Sequence, residues 1–404
     1  MIKYAKYSKR IAVLIAVYIT TFLFPFLINA EETENKSPKI MVSLGDSYSS
    51  GEGIEPFFGQ DKEMEQKVID EDWLAHRSEK SWSGLLTLPG IEGTMYDNKD
   101  EYWFFKAASG ATTDNLTHLF CKEYDKKGYE GSFDLEPQLA VFDGLAENSV
   151  SYVTMTMGGN DVDFTGIIQE CVIQGIPFTN KNGLSDKFKH TWEEFYANGG
   201  TQDKLLEAYK AIESKAGTQA HILIAGYPQL LSKEELGKNI TGVCFSENEV
   251  STVNTNVTKF NNALNELITS CNDDGMNIYF VPVEKAFEGH EAYSSDPYIN
   301  NVIIWAKNQD LKGNPPSAYS IHPNEEGAKA YAACVQAKID EIEAGLIEKT
   351  EAQDLKEKDS KEKDSLQDKV NKKIEKQKQE IAEWLEKKLE EWLNEWLAKN
   401  CEGC

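Results

Sequence analysis

The sequence predicts an α/β fold over residues 37–347: a doubly wound, mainly parallel sheet with helices on both faces. Two observations support this prediction. Five runs in this region are apolar at nearly every position, as is typical of strands buried on both faces of a parallel sheet. Stretches with helical periodicity alternate with the later runs, and alternating β and α segments favour a doubly wound domain.

The predicted elements can be read in chain order. The strands are KIMVSL (39–44), YWFFKAA (102–108), SVSYVTMTM (149–157), AHILIAG (220–226) and MNIYFVPV (276–283). The main helices are TQDKLLEAYKAIESKA (201–216), VNTNVTKFNNALNELITSC (253–271) and NEEGAKAYAACVQAKIDEIEAG (324–345). Because ligands bind beyond the carboxyl ends of such strands, the segments that follow them are where a site is expected.

Residues 1–30 have the pattern of an export signal. The basic stretch MIKYAKYSKR precedes the apolar stretch IAVLIAVYITTFLFPFLINA, and a loose cleavage site ends at Ala30. An uncleaved membrane anchor is the alternative, because the apolar stretch is long. Under either interpretation the body of the protein is secreted or extracellular, or attached to the cell surface.

The composition changes after residue 347. Residues 348–380 are almost entirely charged or polar and predict a spacer. Residues 381–404 predict an amphipathic, tryptophan-rich helix that ends in Cys-Glu-Gly-Cys. We expect this helix to pack on protein, through self-association or surface attachment, since its polar face is too acidic to favour anionic lipid.

The charge of the body excludes one class of partner. Residues 31–350 contain 52 acidic and 26 basic side chains, and the whole chain has a formal net charge of -25. The field of such a body repels polyanions, so nucleic-acid binding is not expected.

The seven cysteines have no metal-binding spacing. Export permits disulfides, and the expected pairs are Cys121–Cys171 and Cys244–Cys271. Cys334 is expected to be a buried thiol within a helix.

Four short motifs contain residues that could take part in catalysis. Gly-Asp-Ser (45–47) follows the first strand, Ser-Gly-Ala-Thr (109–112) the second and Gly-Gly-Asn-Asp (158–161) the third, whereas His-Pro-Asn (322–324) precedes the last long helix. A nucleophilic serine needs a base and donors for the developing oxyanion. Of the six histidines, His322 is the best candidate for the base, since it is held at a rigid junction between loop and helix.

The motifs GDSYSSGEG, HRS, SGATTDN, GGND and HPN occur in the order typical of the secreted-esterase branch of the SGNH (GDSL) hydrolases, which residues 39–340 resemble. The resemblance implies a three-layer, flavodoxin-like fold. It also implies that Ser47 is the nucleophile and His322 the base, and that the oxyanion is bound by the N–H groups of Ser47 and Gly110 and the amide of Asn160. No metal or cofactor is implied. Asp46 and Asp161 are expected to be structural acceptors.

The sequence departs from the family pattern in two places. Tyr319 stands where the family has an aspartate that orients the histidine. We therefore expect the Tyr319 backbone carbonyl to accept the Nδ1–H bond, with Asp296 or Asp310 as alternative partners. The branch also has a cysteine at each of two positions that are occupied here by Ala75 and Ala108, so the loop around Gly110 is expected to be held by packing.

The predicted function is that of an exported serine esterase acting on a small-molecule or lipid ester. The alternatives are a lipase or phospholipase, a cell-wall polysaccharide deacetylase and, outside the enzymes, a surface assembly protein that acts through its tail. The G-x-S-x-G signature of α/β-hydrolases is absent around Ser47.

Overall fold

A computed structural model describes residues 39–60, 70–124, 131–164, 166–167, 183–233, 246–303 and 317–345. The predicted signal (1–30), the spacer (348–380), the C-terminal helix (381–404), Cys171, Cys244 and Asp310 lie outside these residues. Within them, no helix is long and apolar enough to cross a membrane.

The centre of the fold is a parallel five-stranded sheet. Its strands, in chain order, are β1 (Ile40–Ser43), β2 (Trp103–Phe105), β5 (Val150–Met155), β6 (His221–Ala225) and β7 (Ile278–Val281). They lie in the order β2-β1-β5-β6-β7, and every neighbouring pair is parallel. Each strand lies within one of the five apolar runs, so the predicted doubly wound sheet is confirmed.

Helices cover the sheet in two groups. The described helices are α1 (Ser47–Ser50), α2 (Glu71–Leu74), α3 (Gly183–Phe195), α4 (Thr201–Ala216), α5 (Glu247–Asp273), α6 (Glu284–Phe287) and α7 (Glu325–Glu343). Helices α3, α4 and α5 pack on one another, and α7 packs with α6 and the 3-10 turn Trp82–Leu85. Consecutive residues of β1, β5 and β6 are buried, as expected for strands covered on both faces.

The sequence analysis did not predict helix α3 or the short helices α1, α2 and α6. It also did not predict a hairpin of β3 (Phe120–Tyr124) and β4 (Gly131–Leu135), which pair antiparallel apart from the main sheet. The hairpin residues Phe120, Phe133 and Leu135 join a second apolar cluster with Ala75 and Ala108. Both alanines are therefore packed together, in agreement with a loop that is held without a covalent bridge.

The two expected disulfides are not shown. Cys121 and Cys271 have free thiols, as does Cys334. Cys121 is exposed on β3, whereas Cys271 is buried in α5, where the thiol packs as a small apolar side chain.

Candidate active site

Ser47 lies where the chain leaves β1 and enters α1. Asp46 caps α1, and its side chain accepts a hydrogen bond from the Tyr48 N–H. Gly45 has a φ of 122°, and a Cβ atom there would lie 2.5 Å from the Thr156 carbonyl oxygen of the neighbouring chain segment. Only glycine permits this close approach, which sets Ser47 at the carboxyl end of the sheet.

Ser47 and His322 form a direct hydrogen bond. The distance from Ser47 Oγ to His322 Nε2 is 2.8 Å, and each residue is 7% exposed. His322 immediately precedes α7, whose N-cap Asn324 accepts bonds from the N–H groups of Glu326 and Gly327. The cap fixes the start of α7 and thereby the backbone beside the imidazole.

The other ring nitrogen of His322 bonds to a backbone carbonyl. His322 Nδ1 lies 3.0 Å from the Ser320 oxygen. If Nε2 accepts the Ser47 hydroxyl proton, Nδ1 bears the hydrogen and donates it to this carbonyl. The acceptor is thus one residue later than the Tyr319 carbonyl that the sequence analysis expected.

The position of the carbonyl follows from a turn in the backbone. Ile321 has a φ of 58°, an unusual conformation for a β-branched residue. Asn300 exchanges two backbone bonds with this segment, to the oxygen of His322 and from the N–H of Ile321, and so holds the turn in place. The Tyr319 carbonyl accepts instead from the Asn300 side chain, at 3.3 Å.

Asp296, one of the two alternative carboxylate partners, contacts a different histidine. The Asp296 backbone oxygen and side chain both lie against His290, and the Asp296 side chain is 75% exposed. Asp310 lies outside the described residues. Burial lowers the pKa of His322 below its ordinary value, while the Glu52 carboxylate and the Ser320 carbonyl act in the opposite direction. The imidazole is therefore neutral, and able to accept a proton, at neutral pH.

The loops that carry the expected oxyanion donors are tied to one another. The Asn160 amide donates to the Ala111 carbonyl at 2.9 Å, and this bond uses one of its two N–H donors. Gly110 lies beside Ala111 with a φ of 86°, in the left-handed region that favours glycine. Ala108 N donates to the Gly45 carbonyl, so the Gly110 loop is also joined to the segment that carries Ser47.

Asp46 and Asp161 accept hydrogen bonds that join the loops. Asp46 accepts from Thr156 Oγ1 at 2.6 Å and from the Tyr227 hydroxyl. Burial raises the pKa of Asp46 to about 6 against these bonds. Asp161 accepts from the backbone and hydroxyl of Thr113. These contacts agree with the structural roles that were expected for both carboxylates.

A buried hydrogen bond between His76 and Glu52 was not identified from the sequence. His76 Nδ1 lies 2.8 Å from Glu52 Oε2, and both residues are fully buried. Although burial raises the pKa of Glu52, the contact with His76 outweighs it and brings the pKa to about 2. Both residues stand in the quoted motifs GDSYSSGEG and HRS, but their sequence separation gave no sign that they meet.

The described residues contain no cluster of three or more histidine, cysteine or acidic side chains that could hold a metal ion. What they bring together at the carboxyl edge of the sheet is a serine, a histidine and loops with backbone and amide donors.

Residues 41–335 match the family described as GDSL-like lipase/acylhydrolase. A lipase from Streptomyces rimosus is 25% identical over 329 residues, which is 80% of this chain and 96% of that protein. Lipase 1 of Streptomyces coelicolor is 25% identical over 261 residues, which is 65% of this chain and 75% of that protein.

Solved structures show the same fold. The crystal structure of an extracellular lipase from Streptomyces rimosus superimposes with a TM-score of 0.51 and 21% identity, over 74% of this chain and 99% of that one. The phospholipase A1 of Streptomyces albidoflavus gives a TM-score of 0.51 and 19% identity, over 75% of this chain and 98% of that one.

Proposed function

Because the chain belongs to the GDSL-like lipase/acylhydrolase family and is an ester hydrolase, we propose that it cleaves carboxylic esters through Ser47 and His322. The observation that carries this proposal is the 2.8 Å hydrogen bond between Ser47 Oγ and His322 Nε2. A serine hydroxyl is a weak nucleophile until a base accepts its proton, and a neutral buried imidazole is well suited to do so.

The reaction has two stages. Ser47 Oγ attacks the ester carbonyl carbon while its proton moves to His322 Nε2. The tetrahedral intermediate then collapses, and His322 returns the proton to the departing alcohol. In the second stage His322 takes a proton from water, the resulting hydroxide attacks the acyl-serine, and the carboxylic acid leaves as Ser47 regains its proton.

Two features support the remaining roles. Ser320 is a positioning residue, because its carbonyl accepts the Nδ1–H bond and fixes the tautomer. The oxyanion is bound by the backbone N–H groups of Ser47 and Gly110 and by the amide of Asn160, whose loops are joined by hydrogen bonds. Such donors act where negative charge develops, and each contributes about 10²–10³-fold to turnover.

We further propose that the protein is exported. The basic and apolar residues 1–30 support this proposal, as does the similarity to a lipase that is described as extracellular.

The test is hydrolysis of p-nitrophenyl acetate by the wild type and by Ser47→Ala. We expect the variant to lose at least about 10³-fold in kcat, because the nucleophile is gone. Ser83→Ala is the matched control, since Ser83 is a buried serine like Ser47 but lies in the 3-10 turn Trp82–Leu85. Equal rates for the wild type and Ser47→Ala would refute the proposal.

Rates on further substrates identify the class of ester that the protein hydrolyses. Rates on p-nitrophenyl esters of increasing chain length, on phospholipid and on acetylated sugar separate an esterase from a lipase, a phospholipase and a deacetylase. Ser47→Ala should abolish whichever activity is largest.

A further inference from the structure

Between β2 and the turn Thr113–Leu116, nearly every backbone N–H group donates a hydrogen bond within the protein. Of the amide groups in residues 106–113, seven have acceptors, and within the described part of the chain Gly110 N has none. Buried amides in a folded chain are nearly always paired. Gly110 is exposed, so its N–H, which the rest of the loop does not use, is accessible to a ligand from solvent.

The peptide that carries this amide is held from its other side by a buried lysine. Lys122 Nζ donates to the Ser109 carbonyl at 2.9 Å, and Lys122 is 7% exposed. The Ser109 carbonyl and the Gly110 N–H belong to one planar peptide unit and point in opposite directions. A bond that fixes the carbonyl therefore fixes the direction of the N–H.

The lysine comes from the β3–β4 hairpin, which packs on the same loop. Phe120 and Leu135 of the hairpin share an apolar cluster with Ala108 and Ala111. The Phe120 ring lies 5.3 Å from Lys122 Nζ and would also be the nearest neighbour of a Cβ at Gly110, at 3.5 Å. The packed hairpin thus holds the Lys122 ammonium group beside the Ser109 carbonyl.

Charged groups around Lys122 act in both directions. Glu52 attracts its charge, whereas Arg77 repels it, and burial disfavours it most. Glu52 is in turn bonded to His76 and to the Ser109 hydroxyl. Burial, with a smaller contribution from Arg77, lowers the pKa of Lys122 to about 8 against the attraction of Glu52.

We propose that Lys122 is a positioning residue that aims and polarises the Gly110 N–H toward the oxyanion. A positive charge on a peptide carbonyl draws electron density from the nitrogen and makes its N–H a stronger donor. This strengthening is largest where negative charge develops, so it lowers the barrier and leaves substrate binding unchanged. The inference rests on the proposed function, because it assigns a partner to the proposed oxyanion donor.

The test compares Lys122→Met, Lys122→Arg and wild type on p-nitrophenyl butyrate between pH 5 and pH 10. Methionine has a similar length but no charge, so kcat should fall at least about tenfold with KM within about twofold, a smaller loss than that of a whole donor. Lys122→Arg should retain most of kcat, since arginine keeps the charge. Lys39→Met is the matched control, because Lys39 is partly buried and paired with Glu343.

The pH profile separates this role from a structural one. In the wild type, kcat/KM should rise as His322 loses its proton in the acid range and fall again as Lys122 loses its proton near pH 8. The alkaline fall should move upward in Lys122→Arg and disappear in Lys122→Met. Thermal unfolding of each variant shows that the comparison is made on folded protein, and the Lys122→Arg profile tests the proposal independently of the methionine variant.

The outcomes distinguish the two proposals. An active wild type matched in kcat and pH profile by Lys122→Met would overturn this inference alone. A wild type that hydrolyses no ester would overturn the proposed function and this inference together.

Discussion

At the scale of single residues, the proposed base is oriented by a neutral acceptor. His322 Nδ1 bonds to the Ser320 carbonyl, where many serine hydrolases use a carboxylate. A carbonyl selects the tautomer and fixes the ring as a carboxylate does, but it stabilises the imidazolium less. The neutral form of His322 is further favoured by burial.

This arrangement makes a prediction for Ser320→Ala. The variant keeps the backbone carbonyl and loses only the hydroxyl, which bonds to the backbone of Ile303. We therefore expect kcat to remain within about threefold of wild type, in contrast to the loss that follows when a positioning carboxylate is removed. Steady-state kinetics on p-nitrophenyl butyrate would check it, with Asp296→Asn as a second variant that should also stay active.

A large loss of kcat in Asp296→Asn would contradict this account, because it would make a distant carboxylate the partner of His322. A large loss in Ser320→Ala alone would show that the hydroxyl, and not the carbonyl, fixes the base.

The candidate site residues could be proposed from the sequence, but the carbonyl that bonds to His322 Nδ1 could not be predicted from it. Ser47, Gly110, Asn160 and His322 stand in short motifs whose order is informative. The carbonyl is that of Ser320 because Ile321 adopts a φ of 58°, and a tertiary contact with Asn300 holds this conformation. Such a tertiary contact cannot be predicted from a local sequence pattern.

At the scale of elements, one carboxylate joins the ends of three strands. Asp46 follows β1, Thr156 follows β5 and Tyr227 follows β6, and the two hydroxyls both donate to Asp46. The third donor is the Tyr48 N–H in the first turn of α1. Asp46 thus fixes the helix that starts at Ser47 relative to the sheet.

The element-scale prediction is a loss of stability in Asp46→Asn. An amide offers one acceptor oxygen where three donors converge, and a buried donor that loses its acceptor costs about 1–3 kcal/mol. We expect the free energy of unfolding to fall by about 1–2 kcal/mol in urea at pH 8, because burial of the Asp46 charge, which raises its pKa to about 6, already offsets part of the gain from its hydrogen bonds. Asp143→Asn, which removes an exposed ion pair with Lys215, should change it by less than about 0.5 kcal/mol. Equal stability of Asp46→Asn and wild type would contradict this role for Asp46.

Elements with a strong pattern were predicted well, and those without one were not. Helix α4 has the predicted bounds, 201–216, because its apolar positions repeat with helical spacing. The β3–β4 hairpin was missed because FCKEY is short and has no continuous apolar run, although the residues DKKG (125–128) that follow it are a turn signal. Its strands are stabilised by packing on the Gly110 loop, which is a tertiary effect.

At the scale of the whole molecule, the order of the strands determines where the site lies. From β1 the chain moves to β2 at one edge and then returns to β5 on the other side of β1. The order reverses between β1 and β5, and ligands of doubly wound folds bind at this point. Ser47 and Asn160 follow these two strands, so the topology alone brings them to one crevice.

The most direct test of the proposed function is covalent labelling by a fluorophosphonate. The reagent transfers its phosphonyl group to an activated serine as fluoride leaves, and the adduct is located by mass spectrometry of the digested protein. We predict one adduct per chain, on the peptide that contains Ser47, and none in Ser47→Ala. Labelling should be at least about 10²-fold slower in His322→Ala, because the base is absent. An adduct on another residue, or equal labelling of Ser47→Ala, would contradict the account.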